Sequence, residues 1–363
     1  MTSVAPGERA IGVRQRLRWA LGAGLAMGVL HGLMLGGLAR HRGVSLTRIL
    51  GAWDASLHAV IAESGRTAAL WAFYPLWAGL LEAARTLVPG LPTVLLGAAL
   101  ASLLFLAALG LLAEAAPTRV VPAEGAGFAL GTLLLAFTPA SWTFHTAHTE
   151  SLFLLLSLGA LLSAGAGRWV PAGLLAALAC LTRNQGVLVA LAAVALVAEQ
   201  TRNPRRAALT ALFPALALLG FLGFQWLRTG DPLAFLHAQT GWAHARSPLD
   251  VLRTFWFGNP WQNTNTGSVA RHLFFLGAVA AAVALTLRDR ILGLYCLASL
   301  ALLPLQGELV NAFRFTAVLF PLHLWAGERL ASRHMPVRVL AVAAWLGTNV
   351  WVTRELAYGK WAY

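Results

Sequence analysis

The sequence predicts an all-α fold, a polytopic transmembrane helix bundle of about eleven spans, and three observations carry that prediction. First, 58% of the 363 residues are hydrophobic and 11% are charged, where a soluble domain carries roughly 25% charged residues. A surface facing water cannot be built from so few charges. Second, the apolar residues come in long runs rather than in short alternation. The stretches 93–113, 207–227 and 272–287 are each at or a little below the roughly 20 residues that cross a bilayer as a helix. Third, a soluble alternative needs a buried core larger than a chain of this length can enclose.

Taken in order, the spans fall near 17–38, 93–114, 126–142, 150–166, 169–182, 185–199, 207–227, 270–287, 291–306, 313–330 and 337–353. The first follows or overlaps Arg9, Arg14, Arg16 and Arg18, and its length reads as a retained helix rather than a cleaved leader. The short pair 169–182 and 185–199 reads as a tight hairpin. The span 313–330 carries Pro321 and reads as one kinked helix. The stretch 69–88 is apolar from Leu70 to Leu81, but Pro75 interrupts it and Glu82 and Arg85 close it. It reads as an interfacial or re-entrant helix, not a crossing. With that stretch excluded, the N-terminus, the 200–206 loop, Arg288 with Arg290, and Arg333 with Arg338 share one side. Arginine in short loops marks the cytoplasmic side.

The opposite side then holds two long loops, 39–92 and 228–269. They bring Arg40, Arg42, Arg48, Arg66, Arg228, Arg246 and Arg253, with Arg271 beside them. Binding of an anionic ligand at the outer face is one reason for such an excess; the low weight of long loops in the orientation rule is the other. No separate soluble domain is visible, so residues 1–363 read as one integral membrane domain. Any site must come from the bundle and these loops. The net charge is +13, and every basic residue except Lys360 is arginine, which offers planar bidentate contacts to phosphate. Nucleic-acid binding is excluded, because the charges are scattered over short loops without a continuous basic face. Cys180 and Cys296 lie in apolar runs without metal-ligand spacing and read as small hydrophobes.

Five segments can carry chemistry. Asp54 follows the first span beside Trp53, and Trp53, Leu57, Val60 and Ile61 fall on one helical face. That pattern predicts an amphipathic helix at the outer interface. A partly desolvated carboxylate there can act as a general base; the alternative is a solvated loop aspartate. Next, His145 and His148 stand three apart, as on a shared helical face, with Glu150 opening the following span. A two-histidine metal site needs further ligands; the other reading is that Thr149, Glu150 and Ser151 cap the helix. Arg183, between the two short spans, faces either a water-filled cavity holding an anion or snorkels to the surface. Asp231 begins a long aromatic and polar loop that continues into Trp242, His244 and Arg246, a functional loop or a plain connection. Arg314 opens a late span among aromatics, where it contacts a lipid phosphate or anchors the interface.

These segments, in order, resemble bacterial members of the GPI mannosyltransferase II family (the PIG-V type), within the glycosyltransferase C superfamily. The likeness covers roughly residues 45–330. It rests on Trp53-Asp54 with Ile61-Ala62 and Gly65, on Phe73-Tyr74-Pro75-Leu76, and on Pro139-Ala140-Ser141 with Thr149-Glu150-Ser151-Leu152-Phe153. Leu181-Thr182-Arg183, Gly230-Asp231-Pro232-Leu233-Ala234-Phe235, and Phe313-Arg314-Phe315 with Phe320-Pro321-Leu322 complete it. The chain departs from the family pattern at Leu57, usually Tyr, at Arg66, usually aromatic, and at Phe315, usually Tyr.

The resemblance implies a bundle with a large first extracytoplasmic loop carrying interfacial helices and the catalytic acid. It implies transfer of a hexose, mannose in the characterised eukaryotic members, from a polyprenyl-phosphate sugar donor to a glycan or lipid acceptor, with inversion. Asp54 becomes the general base. Trp53, Tyr74, His145, His148, Glu150, Arg183, Asp231 and Arg314 become substrate-binding candidates, with Arg183 and Arg314 on the donor phosphate. The implied setting is a bacterial inner membrane with the site facing outward. No cofactor is implied, and a divalent metal stays open. A lipid-linked saccharide transporter or flippase, or a non-catalytic membrane subunit of the same fold, are the alternatives.

Overall fold

The structure is a computed structural model, and it describes residues 12–240, 266–305, 309 and 311–359. Among the described residues every regular element is helical and none is a strand. Among the described residues five helices are long and apolar enough to cross a membrane. These are α1 (Val13–His41), α5 (Thr93–Ala115), α10 (Pro204–Thr229), α12 (Thr266–Thr286, apolar from Val269) and α16 (Met335–Ala357). Five shorter apolar helices stand with them: α6 (Gly125–Ala136), α7 (Glu150–Gly165), α8 (Trp169–Cys180), α9 (Gly186–Thr201) and α13 (Arg290–Leu305). The chain is an all-α polytopic membrane protein. At 1.5 Å per residue α1 is about 43 Å long, whereas α8 is about 18 Å and falls short of a roughly 30 Å hydrocarbon core.

Of the short helices, α7 is the interior of the bundle, while α8, α9 and α13 each keep an exposed apolar face. Helix α7 packs against α5, α8 and α9, and most of its side chains are buried, Leu152, Phe153, Leu154, Leu158 and Leu161 among them. Small residues let these helices approach closely, as bilayer packing requires. Gly127 and Gly131 lie one turn apart on α6, facing Gly327 on α15 (Phe320–Ala331). A Cβ at Gly327 would fall on the Gly131 backbone, and one at Gly131 would sit 2.9 Å from the Leu324 Cα. The α8–α9 hairpin closes as predicted, and Gly186 leaves no room for a side chain against the Ala179 carbonyl.

Three expectations are corrected. The span predicted over 126–142 stops at Ala136 and gives way to a 3₁₀ turn, Ser141–His145. Pro139 has no N–H to donate and would clash with the carbonyl four residues back. The single kinked helix predicted over 313–330 is two helices, α14 (Ala312–Ala317) and α15, parted at Val318 and Leu319. Pro321 sits in the first turn of α15, where a missing N–H costs nothing. In the first loop, α3 (Asp54–Ser64) buries Ala55, His58, Ala59 and Ala62 together with Ile61, while Val60 is exposed and Trp53 precedes the helix. Of the apolar stripe read from Trp53, Leu57, Val60 and Ile61, Ile61 is buried and Leu57 and Trp53 pack against the core, so only Val60 departs from it.

The stretch 69–88 does not cross the bundle. It forms a 3₁₀ turn, Ala68–Ala72, and the amphipathic α4 (Pro75–Leu87), which buries Trp77, Ala78 and Leu81. The first turn of α4 is tied to the end of the bundle, and its last turn to α3 through Arg85 Nη1, which donates to the Ala62 carbonyl. The Leu76 amide donates to the Leu181 carbonyl in the α8–α9 turn, and Trp77 Nε1 donates to the Ala147 carbonyl at 2.9 Å. Arg66 fixes the loop ahead of α4 by donating to the carbonyls of Leu70, Phe73 and Tyr74.

Candidate active site

Four polar side chains from four separate segments of the chain meet at the end of the bundle braced by α4. Asp54 begins α3. Glu150 begins α7. Arg183 lies in the α8–α9 turn, and Arg314 lies in α14. Arg314 Nη1 donates to Asp54 Oδ2 at 2.8 Å, and its Nε donates to Glu150 Oε1 at 2.8 Å. Arg183 Nη1 donates to the same Glu150 oxygen at 2.6 Å and to Thr149 Oγ1 at 2.9 Å. The result is a chain of alternating charge, Asp54–Arg314–Glu150–Arg183.

The two carboxylates differ in setting. The Glu150 side chain is fully enclosed, because α7 is walled in on every side; that of Asp54 is 28% exposed. Burial alone would raise the Asp54 carboxyl, but the Arg314 guanidinium outweighs it and holds the group below its usual range. A carboxylate at a helix N-terminus also gains from the helix dipole, which favours Glu150 where it stands. Arg183 is covered by two rings, its guanidinium lying 5.9 Å from the Phe153 centroid and 5.5 Å from that of Phe315.

Two buried imidazoles border the chain. His58 stands one turn after Asp54, edge-on to Phe73 at 4.8 Å, and burial lowers it to about 4. His148 accepts or donates at Thr146 Oγ1 (2.7 Å), stands edge-on to Trp142, and is lowered to about 3 by burial and then by Arg314. Both rings are neutral near pH 7. Among the described residues, Glu150 Oε2, His148 Nε2 and His58 Nδ1 are buried without a hydrogen-bond partner. Such atoms call for a ligand or ordered water.

The other sequence candidates lie elsewhere. His145 and His148 do not share a helical face, because Thr146 between them is extended, not helical. The His145 ring turns instead toward Ser102 Oγ (3.1 Å), His31 and Phe105. Among the described residues no cluster of three or more His, Cys, Asp or Glu side chains has metal-site geometry. Tyr74 packs tilted against Phe221 and Phe235, with ring centroids at 5.6 and 6.0 Å. Asp231 is spent on its own turn, accepting from the Leu233 amide and pairing with His237 at 2.6 Å. Trp242, His244, Arg246 and Arg253 lie outside the described residues. Trp53 immediately precedes the base candidate in a left-handed conformation, φ 57°, rare for a bulky residue, and its carbonyl accepts from the Ser56 amide and hydroxyl. Sequence reading passed over His58, and it read Thr149 as a helix cap, whereas the Thr149 side chain makes no cap bond and accepts from Arg183. The spacing of His58 four residues after Asp54 was the available signal.

Comparison with protein-family models finds no match, and comparison with curated proteins finds none. Among solved structures the chain is similar to the archaeal oligosaccharyltransferase AglB from Archaeoglobus fulgidus, in complex with an inhibitory peptide and a dolichol-phosphate. The TM-score is 0.45 at 13% identity, over 95% of this chain and 56% of that one. The chain thus spans little more than half the length of that protein.

Proposed function

We propose that the protein is a membrane glycosyltransferase, with a polyprenyl-phosphate sugar as donor and a hexose, mannose foremost, as the transferred group. The acceptor is a glycan or lipid presented at the outer face of a bacterial inner membrane. One observation carries this reading: the Arg314 guanidinium, at one end of an apolar bundle, is bonded at once to a solvent-reached carboxylate and to an enclosed one.

The roles divide by environment, as in other two-carboxylate sites. Glu150 Oε1 already receives hydrogen bonds from two guanidiniums and sits out of reach of bulk water, so it positions Arg314 and Arg183. Asp54 has the access a base needs. It takes the proton from an acceptor hydroxyl as that oxygen attacks the anomeric carbon from the side opposite the phosphate, inverting the centre. The leaving group is a phosphate monoester, which departs without an acid, so one carboxylate suffices. Arg314 and Arg183 hold the donor phosphate and meet its growing charge. The neutral His148, whose buried Nε2 has no hydrogen-bond partner among the described residues, bonds a sugar or acceptor hydroxyl.

The test is transfer in proteoliposomes. The purified chain is given radiolabelled polyprenyl-phosphate mannose and membrane lipid extract, then glucose- and arabinose-type donors. Label passing to a new acceptor supports the reading. Translocation of the labelled donor with no transfer from any of the three favours a flippase and sinks it.

A further inference from the structure

Among the described residues, the four charges that meet in the site cancel: two guanidiniums, Arg183 and Arg314, against two carboxylates, Asp54 and Glu150. A phosphodiester donor adds one negative charge, giving a net of minus one. During transfer the acceptor O–H proton moves to Asp54, a bond forms from that oxygen to the anomeric carbon, and the bond from that carbon to the phosphate oxygen breaks. The electron pair stays on the phosphate, which goes from one negative charge to two, while Asp54 goes from one to none. The net charge of the site stays at minus one throughout.

That balance needs a carrier, and the hydrogen bonds single one out. Arg314 is fixed on its inner side by Nε donating to the enclosed Glu150, while the Nη1 bond to Asp54 is the one at the open edge. Resting on this reading of the site, we infer that Arg314 Nη1 exchanges partners, releasing Asp54 and taking the phosphate as it becomes a dianion. The resting ion pair is therefore a built-in competitor of phosphate monoesters. Asp54, the residue that the chemistry needs, weakens binding of the lipid phosphate left behind and speeds its departure. Glu150 holds the pivot still while the outer arm changes hands.

A residue whose removal abolishes turnover yet tightens a ligand is a signature that general structural damage does not produce. The experiment measures binding of polyprenyl monophosphate to the full chain in nanodiscs, with polyprenol and inorganic phosphate in parallel arms. Asp54→Asn should bind the lipid phosphate roughly tenfold more tightly than the wild type, the worth of one charge-assisted hydrogen bond regained. Asp54→Ala should do the same if the asparagine variant does not fold. Polyprenol should show no difference between the chains. The same gain with inorganic phosphate supports the exchange and assigns it to the phosphate group alone; a gain confined to the lipid supports it and adds the tail to recognition. Equal or weaker binding by both variants, with the wild type binding normally, overturns the exchange and leaves the proposed function standing. Failure of the wild type to bind either polyprenyl monophosphate or the sugar donor removes both.

Discussion

Asp54 and Glu150 are tied together through one side chain. Arg314 reaches the first with Nη1 and the second with Nε, each at 2.8 Å, although 96 residues of sequence separate the two acids. The guanidinium thus joins the exposed rim of the site to its enclosed floor.

The floor should bear most of the stability. Glu150→Gln leaves two buried guanidiniums sharing a neutral partner, and breaking a buried pair on one side costs about 3–5 kcal/mol. The variant should unfold at a markedly lower temperature in detergent than Asp54→Asn, whose side chain is partly solvated. Equal melting temperatures for the two variants would show that burial does not separate their roles.

Acid should act on the site in two steps. Transfer needs Asp54 deprotonated, and Arg314 keeps it so below the usual carboxylate pKa of about 3.9. The acid limb of kcat/KM should lie below that value, and Arg314→Gln should move it upward. His58 and His148 behave oppositely in origin: burial keeps them neutral when folded, at about 4 and about 3, while the unfolded chain takes up their protons near 6.5. The unfolded state then binds more protons, so stability falls as pH drops below about 6.5. Thermal scans from pH 7.5 to 4.5 should record that loss, and His148→Gln should reduce its slope.

Much of this site was legible in the sequence. Counting spans placed Asp54, Glu150, Arg183 and Arg314 at one end once 69–88 was kept out of the membrane. Which acid would be enclosed was not legible, because that depends on α5, α8 and α9 closing around α7. The histidine pair was misread for a local reason: a spacing of three means a shared face only in a helix, and Thr146 is extended. Asp231 looked like its fellow candidates in sequence, but its carboxylate satisfies its own turn.

The glycine contact between α6 and α15 offers a test remote from the four site charges. Gly327→Ala pushes a methyl into the Gly131 backbone, which has nowhere to move. Overpacking of this kind costs about 1–3 kcal/mol. The melting temperature should fall, with kcat lowered as α15 shifts the preceding α14 and its Arg314. An unchanged melting temperature would mean that α6 and α15 are not closely packed in the membrane.

The most direct test of the central claim is single-turnover transfer at saturating donor, comparing the wild type with Asp54→Asn. The variant should insert, bind donor and transfer sugar roughly 10²–10⁴-fold more slowly, the usual contribution of a general base. Transfer by the donor-loaded variant at the wild-type rate would contradict it, and the carboxylate that Arg314 holds at the rim would not be the base.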